Sequence, residues 1–353
     1  MSIPVTTVPP AARTTYILEQ LEGERLTIPG SKGVFRILAS SKQTNGGIAV
    51  FTSGAVLSDA PGFHWHEEAH DVFLVTKGFL KIWNGDKCRI MGPGDFADVP
   101  PKVIHNAELL GPHTETFSLV APGDWIDFFR YVAETYNGII VPEHDGRDLK
   151  SMLMQKMIAT KDRFDVHFQR DYQPPEVGEW QESENRLAEP GQPYFLRANT
   201  GPRWLLGGVM SRPFILADQC AGKFAISSIE SSRVYDAQEE RPLARWLTFA
   251  DVDHCFCVQE GLLRVRLRSG DGGWNEVREG QTLVVAAGET FTLQFASRYV
   301  RVWSFTNGCG LEELIRVAGS PYSSFVLPES PALWQESDFL DACRKLNVEV
   351  ANL

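Results

Sequence analysis

The 353-residue chain lacks several features that mark specialised classes of protein. No apolar run approaches the about 20 residues that a helix needs to cross a bilayer. The opening MSIPVTTVPPAARTTY has no basic stretch followed by an apolar one, as a signal peptide would. The six cysteines form no C-x-x-C pair, and no N-x-[ST] sequon occurs. These absences predict an intracellular, cytoplasmic protein with reduced, buried thiols and no membrane partner.

Basic residues are also few. The 34 Lys and Arg are outnumbered by 45 Asp and Glu, which gives a net charge of −11 with no basic cluster, so phosphate backbones would be repelled and nucleic acid is excluded as a partner. The chain has no G-x-S-x-G, no P-loop and no dinucleotide-binding glycine motif. What remains is a globular chain, 43% hydrophobic, that is long enough for two cores.

Two similar halves make up most of that chain. The segments GFLKIWNGDKCRIMGPGDFADVPPKVIH (78–105) and GLLRVRLRSGDGGWNEVREGQTLVVAAGETF (261–291) both begin with glycine, continue as an alternating strand, pass a polar turn and reach a second short strand. Short strands between Gly, Pro and Asp turns are typical of an all-β barrel or sandwich. The duplication therefore predicts two such domains.

The predicted boundaries follow from the regions outside the repeat. Residues 1–145 form the first domain, 146–200 a connecting region, and 201–353 the second domain. Within the connecting region, the apolar stripe of 147–164 predicts a helix, and the Pro- and Glu-rich stretch 171–193 reads as a linker. Residues 336–346 predict a closing helix with Ser337 as its N-cap.

Candidate metal ligands concentrate in the first half, in GFHWHEEAHDVFLVTKG (62–78). His64 and His66 are two residues apart, so on a strand both imidazoles lie on one face and can bind one metal ion. Asp71 follows, and His105 comes after Pro100-Pro101 at the start of another strand. If these strands pair in a barrel, the side chains point into one interior.

The spacing of these residues resembles the cupin family. The first cupin motif, G-x5-H-x-H-x3–4-E-x6-G, is matched by His64, His66, Asp71 and Gly78. The second, G-x5-P-x-G-x2-H, is matched by Gly94, Pro100 and His105, with Lys102 in place of the middle glycine. The resemblance implies a jelly-roll barrel in each half.

More narrowly, the chain resembles the two-cupin quercetin 2,3-dioxygenases of fungi. The resemblance rests on SDA (58–60), KG (77–78), and PGD with VP (93–100), and it is weaker in the second half. It implies one metal ion held by three histidines and an acid in the first cupin, and a second cupin without metal. Members of that family cleave the central ring of a flavonol with O2 and release carbon monoxide.

Two further departures from the family accompany Lys102. Asp71 occupies the acid position, where the family has Glu, and Ala107 stands where the fungal enzymes tend to have an aromatic pocket residue. An Asp reaches about 1.5 Å less far than a Glu. Asp71 can therefore ligate the metal after a small backbone shift, act from outside the ligand set as a proton acceptor, or leave the base function to another residue.

Other residues of the first half allow two readings each. His70 fits the shorter acid spacing from His66 but not the spacing to Gly78, so it is the less favoured alternative ligand. Phe73 and Ile82 lie on the next strand and either line a substrate pocket or fill the barrel.

The second half places apolar residues at the corresponding positions. Leu247, Phe249 and Phe291 match the three histidines, and His254 matches Asp71. This half is therefore predicted to have no metal site. A strand with buried thiols is favoured over a separate Asp/His/Cys site in DVDHCFC (251–257).

Three imidazoles with one carboxylate or none leave coordination positions open, which favours catalysis over a structural role. The ligand set suits Fe, Cu, Ni or Mn and does not distinguish among them. The first hypothesis is a metal-dependent dioxygenase that cleaves a phenolic, flavonol-like or polyketide aromatic substrate with O2, in secondary metabolism. The alternative is a non-oxidative cupin isomerase, decarboxylase or cyclase that uses the metal as a Lewis acid. A third, a non-catalytic small-molecule binder, is disfavoured because the three histidines are present. A homodimer is possible.

Overall fold

The computed structural model describes residues 2–55, 62–139, 146–160, 163–237, 241–270 and 272–352. The described chain divides into two compact units. The N-terminal unit comprises residues 21–41 and 45–200, and the C-terminal unit comprises 1–20, 42–44 and 201–353. No helix among the described residues combines the length and apolarity that a membrane span requires. The SDA stretch at 58–60 lies outside the described residues.

The first 200 residues are mainly strands. They are β1 Val5–Thr6, β2 Tyr16–Leu18, β3 Glu24–Thr27, β4 Gly33–Ala39, β5 Ala49–Ala55, β6 His64–Trp65, β7 His70–Asn84, β8 Lys87–Met91, β9 Phe96–Val99, β10 His105–Ala121, β11 Glu134–Thr135, β12 His167–Phe168 and β13 Tyr194–Leu196. The helices of this part are α1 Asp127–Val132 and α2 Leu149–Thr160.

The remaining residues repeat the pattern. Their strands are β14 Trp204–Leu206, β15 Val209–Ile215, β16 Ala225–Ser231, β17 Trp246–Phe249, β18 His254–Glu260, β19 Leu262–Leu267, β20 Asn275–Arg278, β21 Thr282–Val285, β22 Thr290–Phe295, β23 Val300–Thr306, β24 Ser320–Pro321 and β25 Val348–Ala351. The helices are α3 Leu311–Ala318 and α4 Glu336–Lys345. The predicted all-β chain of two cupin barrels, with a partly helical connecting region and a C-terminal helix, is confirmed.

One sheet of the N-terminal unit runs in the order β11-β3-β4-β5-β10-β7-β9-β13, with β6, β8 and β12 attached at its side. The long strands β7 and β10 pair antiparallel along their length, with Asp71 opposite Val120 and His105 opposite Asn84. Asp71 lies at the start of β7, and His105 is the first residue of β10. His105 pairs directly with His64 of β6. This pairing is what brings distant motif residues together.

The C-terminal unit contains two sheets, β1-β2-β21-β18-β23-β16-β15-β14-β24 and β20-β19-β22-β17-β25. The strand β2 joins the first sheet because Tyr16 pairs with Val284, and the Tyr16 side chain is fully buried. Residues 1–20 thus belong to the C-terminal unit, whereas the sequence boundaries placed them with residues 21–145. Periodicity does not reveal such a pairing, because a strand of three residues carries no signal of its partner.

The two helices predicted outside the repeat are present. α2 lies inside the predicted range 147–164, and α4 begins where the predicted range 336–346 begins and ends one residue earlier than predicted. The predicted N-cap was wrong: α4 is preceded by Gln335, and Ser337 is the second residue of the helix, where its hydroxyl contacts the Asp338 carboxylate.

Candidate metal centre

Three imidazoles meet in the interior of the N-terminal unit. His64 lies on β6, His66 follows that strand, and His105 begins β10. One ring nitrogen from each lies within 4.8 Å of the other two. The ring centroids of His64 and His105 are 4.3 Å apart, and those of His66 and His105 are 5.2 Å apart. The predicted triad is therefore assembled, at a spacing that one ion can bridge.

Each imidazole is oriented through its Nδ1 atom. The Nδ1 atoms of His64 and His105 lie 2.8 Å from Gly62 O and 3.0 Å from Val103 O. Nδ1 of His66 contacts the carbonyl oxygen of Asp165. A carbonyl only accepts hydrogen bonds, so each Nδ1 carries the proton and donates it. The lone pair is thereby left on Nε2, the arrangement that metal-binding histidines use.

Asp71 adds a carboxylate to the same point. Its Oδ2 atom lies 3.2 Å from His66 Nε2 and 3.3 Å from His105 Nε2. Both Nε2 atoms are buried, and neither has a hydrogen bond of good geometry among the described residues. Buried nitrogens that converge on a carboxylate without hydrogen bonding to it leave polar groups that an ion would satisfy. The residues present therefore fit a divalent metal ion.

The electrostatics of the site agree with that fit. Burial, with the neighbouring His105 and His66, lowers the pKa of His64 well below its ordinary value, so this ring is neutral, as a ligand must be. Burial alone would raise the pKa of Asp71, but the adjacent His66 and His105 hold it well below its usual range. Asp71 is therefore ionised.

His70 lies outside the triad. Successive residues of β7 point to opposite faces of the sheet, so His70 and Asp71 diverge. Its Nε2 atom lies 2.7 Å from Oδ1 of the buried Asp98. Burial raises the pKa of Asp98, and the contact with His70 offsets part of that rise. As the alternative ligand, His70 is thus already engaged elsewhere in this structure.

Phe73 and Ile82 both contribute to one apolar cluster, in which Ala107 also packs. Phe73 lies two residues beyond Asp71 on the same face of β7 and is partly buried. Ile82 is 0% exposed, so it supports the barrel and presents no accessible surface here. The substrate-binding role of these two residues stays a prediction.

In the loop before His105, Lys102 adopts the backbone conformation that the motif glycine would have. Lys102 has φ of 70°, a left-handed conformation that favours glycine, and its backbone N–H donates to His66 O at 2.6 Å. The Lys102 ammonium also lies 2.6 Å from the Glu67 carboxylate. The backbone geometry of the motif is thus present, although a lysine occupies the position.

Sequence reasoning missed Asp165, which lies in the connecting region beyond α2. Besides accepting from His66, its backbone oxygen accepts a hydrogen bond from Trp125 Nε1 at 2.9 Å. The Trp125 ring packs against His66 at 4.9 Å, and the Phe168 ring lies 5.8 Å from His64. Asp165 stands at no motif spacing within DRFDVHF (162–168), so nothing in the sequence pattern identifies it.

The corresponding point of the C-terminal unit is apolar, as predicted. Leu247 pairs with Phe291 there, in the register that joins His64 to His105 in the other unit. Leu247, Phe249 and Phe291 all belong to the hydrophobic core. His254 is buried among these rings, and its Nε2 atom accepts the Leu311 N–H at 3.1 Å. Burial lowers the pKa of His254 to about 3, so this ring is neutral.

The chain is similar to two quercetin 2,3-dioxygenases. The chain is 24% identical to quercetin 2,3-dioxygenase of Aspergillus japonicus over 322 residues, which is 84% of this chain and 90% of that protein. It is 32% identical to quercetin 2,3-dioxygenase of Bacillus subtilis strain 168 over 133 residues, 38% of this chain and 39% of that protein. No family model matches. The structure of oxalate decarboxylase from B. subtilis superposes with a TM-score of 0.49 at 11% identity, covering 85% of this chain and 77% of that chain.

The cofactor prediction is confirmed as one divalent transition metal, without the identity of the element. The donor set, imidazole nitrogens with a carboxylate oxygen, suits Fe, Cu, Ni and Mn alike.

Proposed function

We propose that this chain, a bicupin of the quercetinase-like family, is a metal-dependent dioxygenase that cleaves a phenolic or flavonol-like aromatic ring with O2. One observation carries the proposal. Three imidazoles and one ionised carboxylate converge in a buried site, and neither His66 Nε2 nor His105 Nε2 makes a good hydrogen bond to any described residue. Such a site has ligands for one ion and leaves coordination positions for small molecules.

His64, His66 and His105 would hold the ion through Nε2. When bound, a divalent transition metal supplies Lewis acidity and the capacity to react with O2. The carbonyls of Gly62, Asp165 and Val103 keep the three rings in the required tautomer.

Asp71 is the proton acceptor in this proposal. Its Oδ2 atom lies within 3.3 Å of two of the three metal-binding nitrogens. A substrate hydroxyl that enters the site therefore reaches a carboxylate that is ionised at neutral pH. Taking that proton leaves an electron-rich phenolate or enolate, the form of the ring that reacts with O2.

Aromatic side chains flank the strand that carries His64, which suits an aromatic guest. Phe63 packs edge-on against Trp83 at 5.2 Å and against Tyr172 at 5.0 Å, beside the strand that carries His64. Phe73 and Ala107 line the same face of the barrel as Asp71 and His105. Ala107 leaves more space than an aromatic residue would, which suits a substrate bulkier than a flavonol, such as a polyketide aromatic.

The first test is metal content. Purified protein should hold about one ion per chain, and His64→Ala should lose it, because two remaining imidazoles do not make a tight site. Phe79→Ala, on an exposed side chain of β7, is the control and should keep its metal. Equal metal in His64→Ala and in the parent protein would refute the site.

The second test is oxygen consumption with a panel of flavonols, simple phenols and aromatic polyketides. The proposal expects O2 uptake with at least one member, in a ratio of one O2 per ring cleaved. The substitution of Asp for the family's Glu favours a second candidate, a non-oxidative Lewis-acid enzyme. Turnover by the metal-loaded protein without O2, at an unchanged rate under argon, would establish that candidate instead.

A further inference from the structure

Part of the connecting region pairs with the strand that carries His64. Beyond α2, the strand β12 pairs antiparallel with β6, so that Phe168 lies opposite His64 and His167 opposite Trp65. The His167 ring stacks on Trp65 at 4.3 Å. The backbone of Gln169 then donates to Phe63 O at 2.8 Å. Residues 163–169, the strap segment, are therefore an added strand on the strand that carries the first metal ligand.

Asp165 is the residue of the strap segment with the most contacts to the site. Its carboxylate accepts three consecutive backbone N–H groups, those of Glu67 at 2.6 Å, Glu68 at 2.8 Å and Ala69 at 3.0 Å. These amides form the loop that separates His66 from Asp71. One side chain thus fixes the whole loop between two members of the proposed site.

The backbone oxygen of Asp165 contacts the His66 ring. It accepts the Nδ1 proton of His66, and it also accepts from the Trp125 indole at 2.9 Å. This contact sets the tautomer of His66 and the direction of its Nε2 atom. The side chain and the main chain of Asp165 therefore constrain His66 and the three residues that follow it.

We propose that Asp165 is a positioning residue of the metal centre, which holds the His66 ring and the Asp71 carboxylate at the geometry the ion requires. The inference rests on the proposed metal site and adds that the connecting region is a working part of it. Without the carboxylate, three loop amides lose their acceptor and the Asp165 carbonyl is no longer anchored. His66 and Asp71 then vary in position independently, and the ion binds less tightly.

The test is a titration of metal-free protein with Co(II), followed by its visible absorption spectrum. Asp165→Ala should still bind one Co(II) at saturation, with an affinity about 10- to 100-fold weaker, the range found when groups that orient metal ligands are removed. Its Co(II) spectrum should also change, because the ligand field depends on where His66 and Asp71 lie. A merely structural role would alter the melting temperature and leave the spectrum intact.

Two other variants keep the result interpretable. Asp165→Asn retains one side-chain oxygen for the loop amides and should lose only a few-fold in Co(II) affinity. It also serves if the alanine variant does not fold. Asp171→Ala removes an exposed acid six residues further on and should match the parent protein in affinity and spectrum.

The outcomes separate the two proposals. If His64→Ala abolishes Co(II) binding while both Asp165 variants bind with the parent's affinity and spectrum, the positioning role is wrong and the metal site stands. If His64→Ala binds Co(II) like the parent protein, the proposed site itself fails.

Discussion

The two units share a backbone plan around one point and fill it with different side chains. Gly78 and Gly261 both have positive φ, 66° and 80°, and so do Gly94 and Gly280, 89° and 83°. A Cβ at Gly78 would collide with the backbone oxygen of His113, and one at Gly261 with the backbone oxygen of Tyr299. These positions therefore need glycine for a reason that has nothing to do with metal.

The two units also share one backbone hydrogen bond at matching positions. Lys102 N–H donates to His66 O at 2.6 Å, and Gly288 N–H donates to Phe249 O at 2.8 Å. The comparison shows that the motif contains two sets of residues with separate roles. Its glycines and turns build the barrel in both units, whereas its histidines and acid form the proposed metal centre in one of them.

The C-terminal unit also shows what replaces a metal centre. Where Asp71 pairs with Val120, His254 pairs with Thr306. The Thr306 hydroxyl donates to the buried Glu312 carboxylate at 2.8 Å. The polar groups here are thus satisfied by hydrogen bonds within the protein, and the apolar rings supply packing.

The largest expected effect comes from removing the acid of the N-terminal site. Asp71→Ala should lower kcat/KM for O2-dependent turnover by about 10²- to 10⁴-fold, the contribution of a positioned proton acceptor. Oxygen uptake measures the rate, and metal content is determined on the same samples. An Asp71→Ala enzyme with unchanged kcat/KM would exclude the role.

Asp71→Glu sharpens this result, because it restores the family's acid at the same position. If the proton acceptor matters and not its length, this variant should stay within about tenfold of the parent protein, which corresponds to about 1.4 kcal/mol. A loss as deep as that of Asp71→Ala would show that the rest of the site is shaped for the shorter acid.

The counterpart of His105 should matter for stability instead. Phe291 is 1% exposed and packs against Phe249 and His254, so Phe291→Ala should reduce the free energy of unfolding by about 3–5 kcal/mol. Urea denaturation measures it. Phe79→Ala, at a side chain that is 52% exposed, should change little. Metal content should be unchanged in both, and metal loss in Phe291→Ala would contradict the division of roles.

The carboxylates of the two units should respond to pH in opposite directions. Burial raises the pKa of Glu312 to about 7 from an ordinary 4.5, against hydrogen bonds from Thr306 and Gly310 that lower it. The folded state then holds this proton more tightly than the unfolded state does. Stability from Glu312 is therefore full below about pH 4.5 and declines as pH rises through about 7, by about 3 kcal/mol.

Urea midpoints between pH 5 and 8 check this, and Glu312→Gln should flatten the decline. The pKa of Asp71 is held low, so its contribution is present at neutral pH and is lost as the pH falls below the ordinary Asp value. In metal-free protein, Asp71→Asn should remove that acid-side loss. A Glu312→Gln profile parallel to the parent's would contradict the assignment.

The smallest expected effect comes from Lys102→Gly, which gives the N-terminal unit the residue found at the matching position of the C-terminal unit. Gly288 has φ of 79° at the position where Lys102 has 70°. Lys102→Gly should relieve the left-handed strain and raise the melting temperature by about 2 °C, with the lost surface contact to Glu67 offsetting part of the gain. Differential scanning calorimetry measures it, and a lower melting temperature would show that the contact to Glu67 outweighs the strain.

Much of this organisation was predictable from the sequence. The alternating strands and the Gly and Pro turns give the all-β fold, since they report local geometry. The spacing from His66 to Asp71 and from Gly94 to His105 identified the residues that converge, because the motif fixes strand register. Leu247 and Phe291 could be matched to His64 and His105 by the repeat alone.

Pairings between distant segments were not predictable. Asp165 acts on a loop nearly 100 residues earlier through backbone amides, which have no side-chain identity for a pattern to detect. The Pro- and Glu-rich stretch 171–193 was read as a linker, yet Glu184 within it forms a buried ion pair with Arg89 at 2.9 Å. The composition of a stretch indicates only its average exposure, and Glu184 is more buried than the average of this stretch suggests.

The pairing of β2 with β21 also affects how the chain is made. The Gln281 side chain donates a hydrogen bond to Glu19 across 262 positions, and the Ile3 N–H donates one to Asn275 Oδ1 across 272. At about 5–20 residues per second of synthesis, residues 1–20 wait roughly 15–50 s for the strand that they complete, while residues 21–200 are already available to fold. Until β21 is made, β2 lacks the neighbour that covers its edge, and an uncovered strand edge is a template for association with other chains. The order of translation therefore leaves this strand edge of the C-terminal unit open to misassembly while the chain is being made.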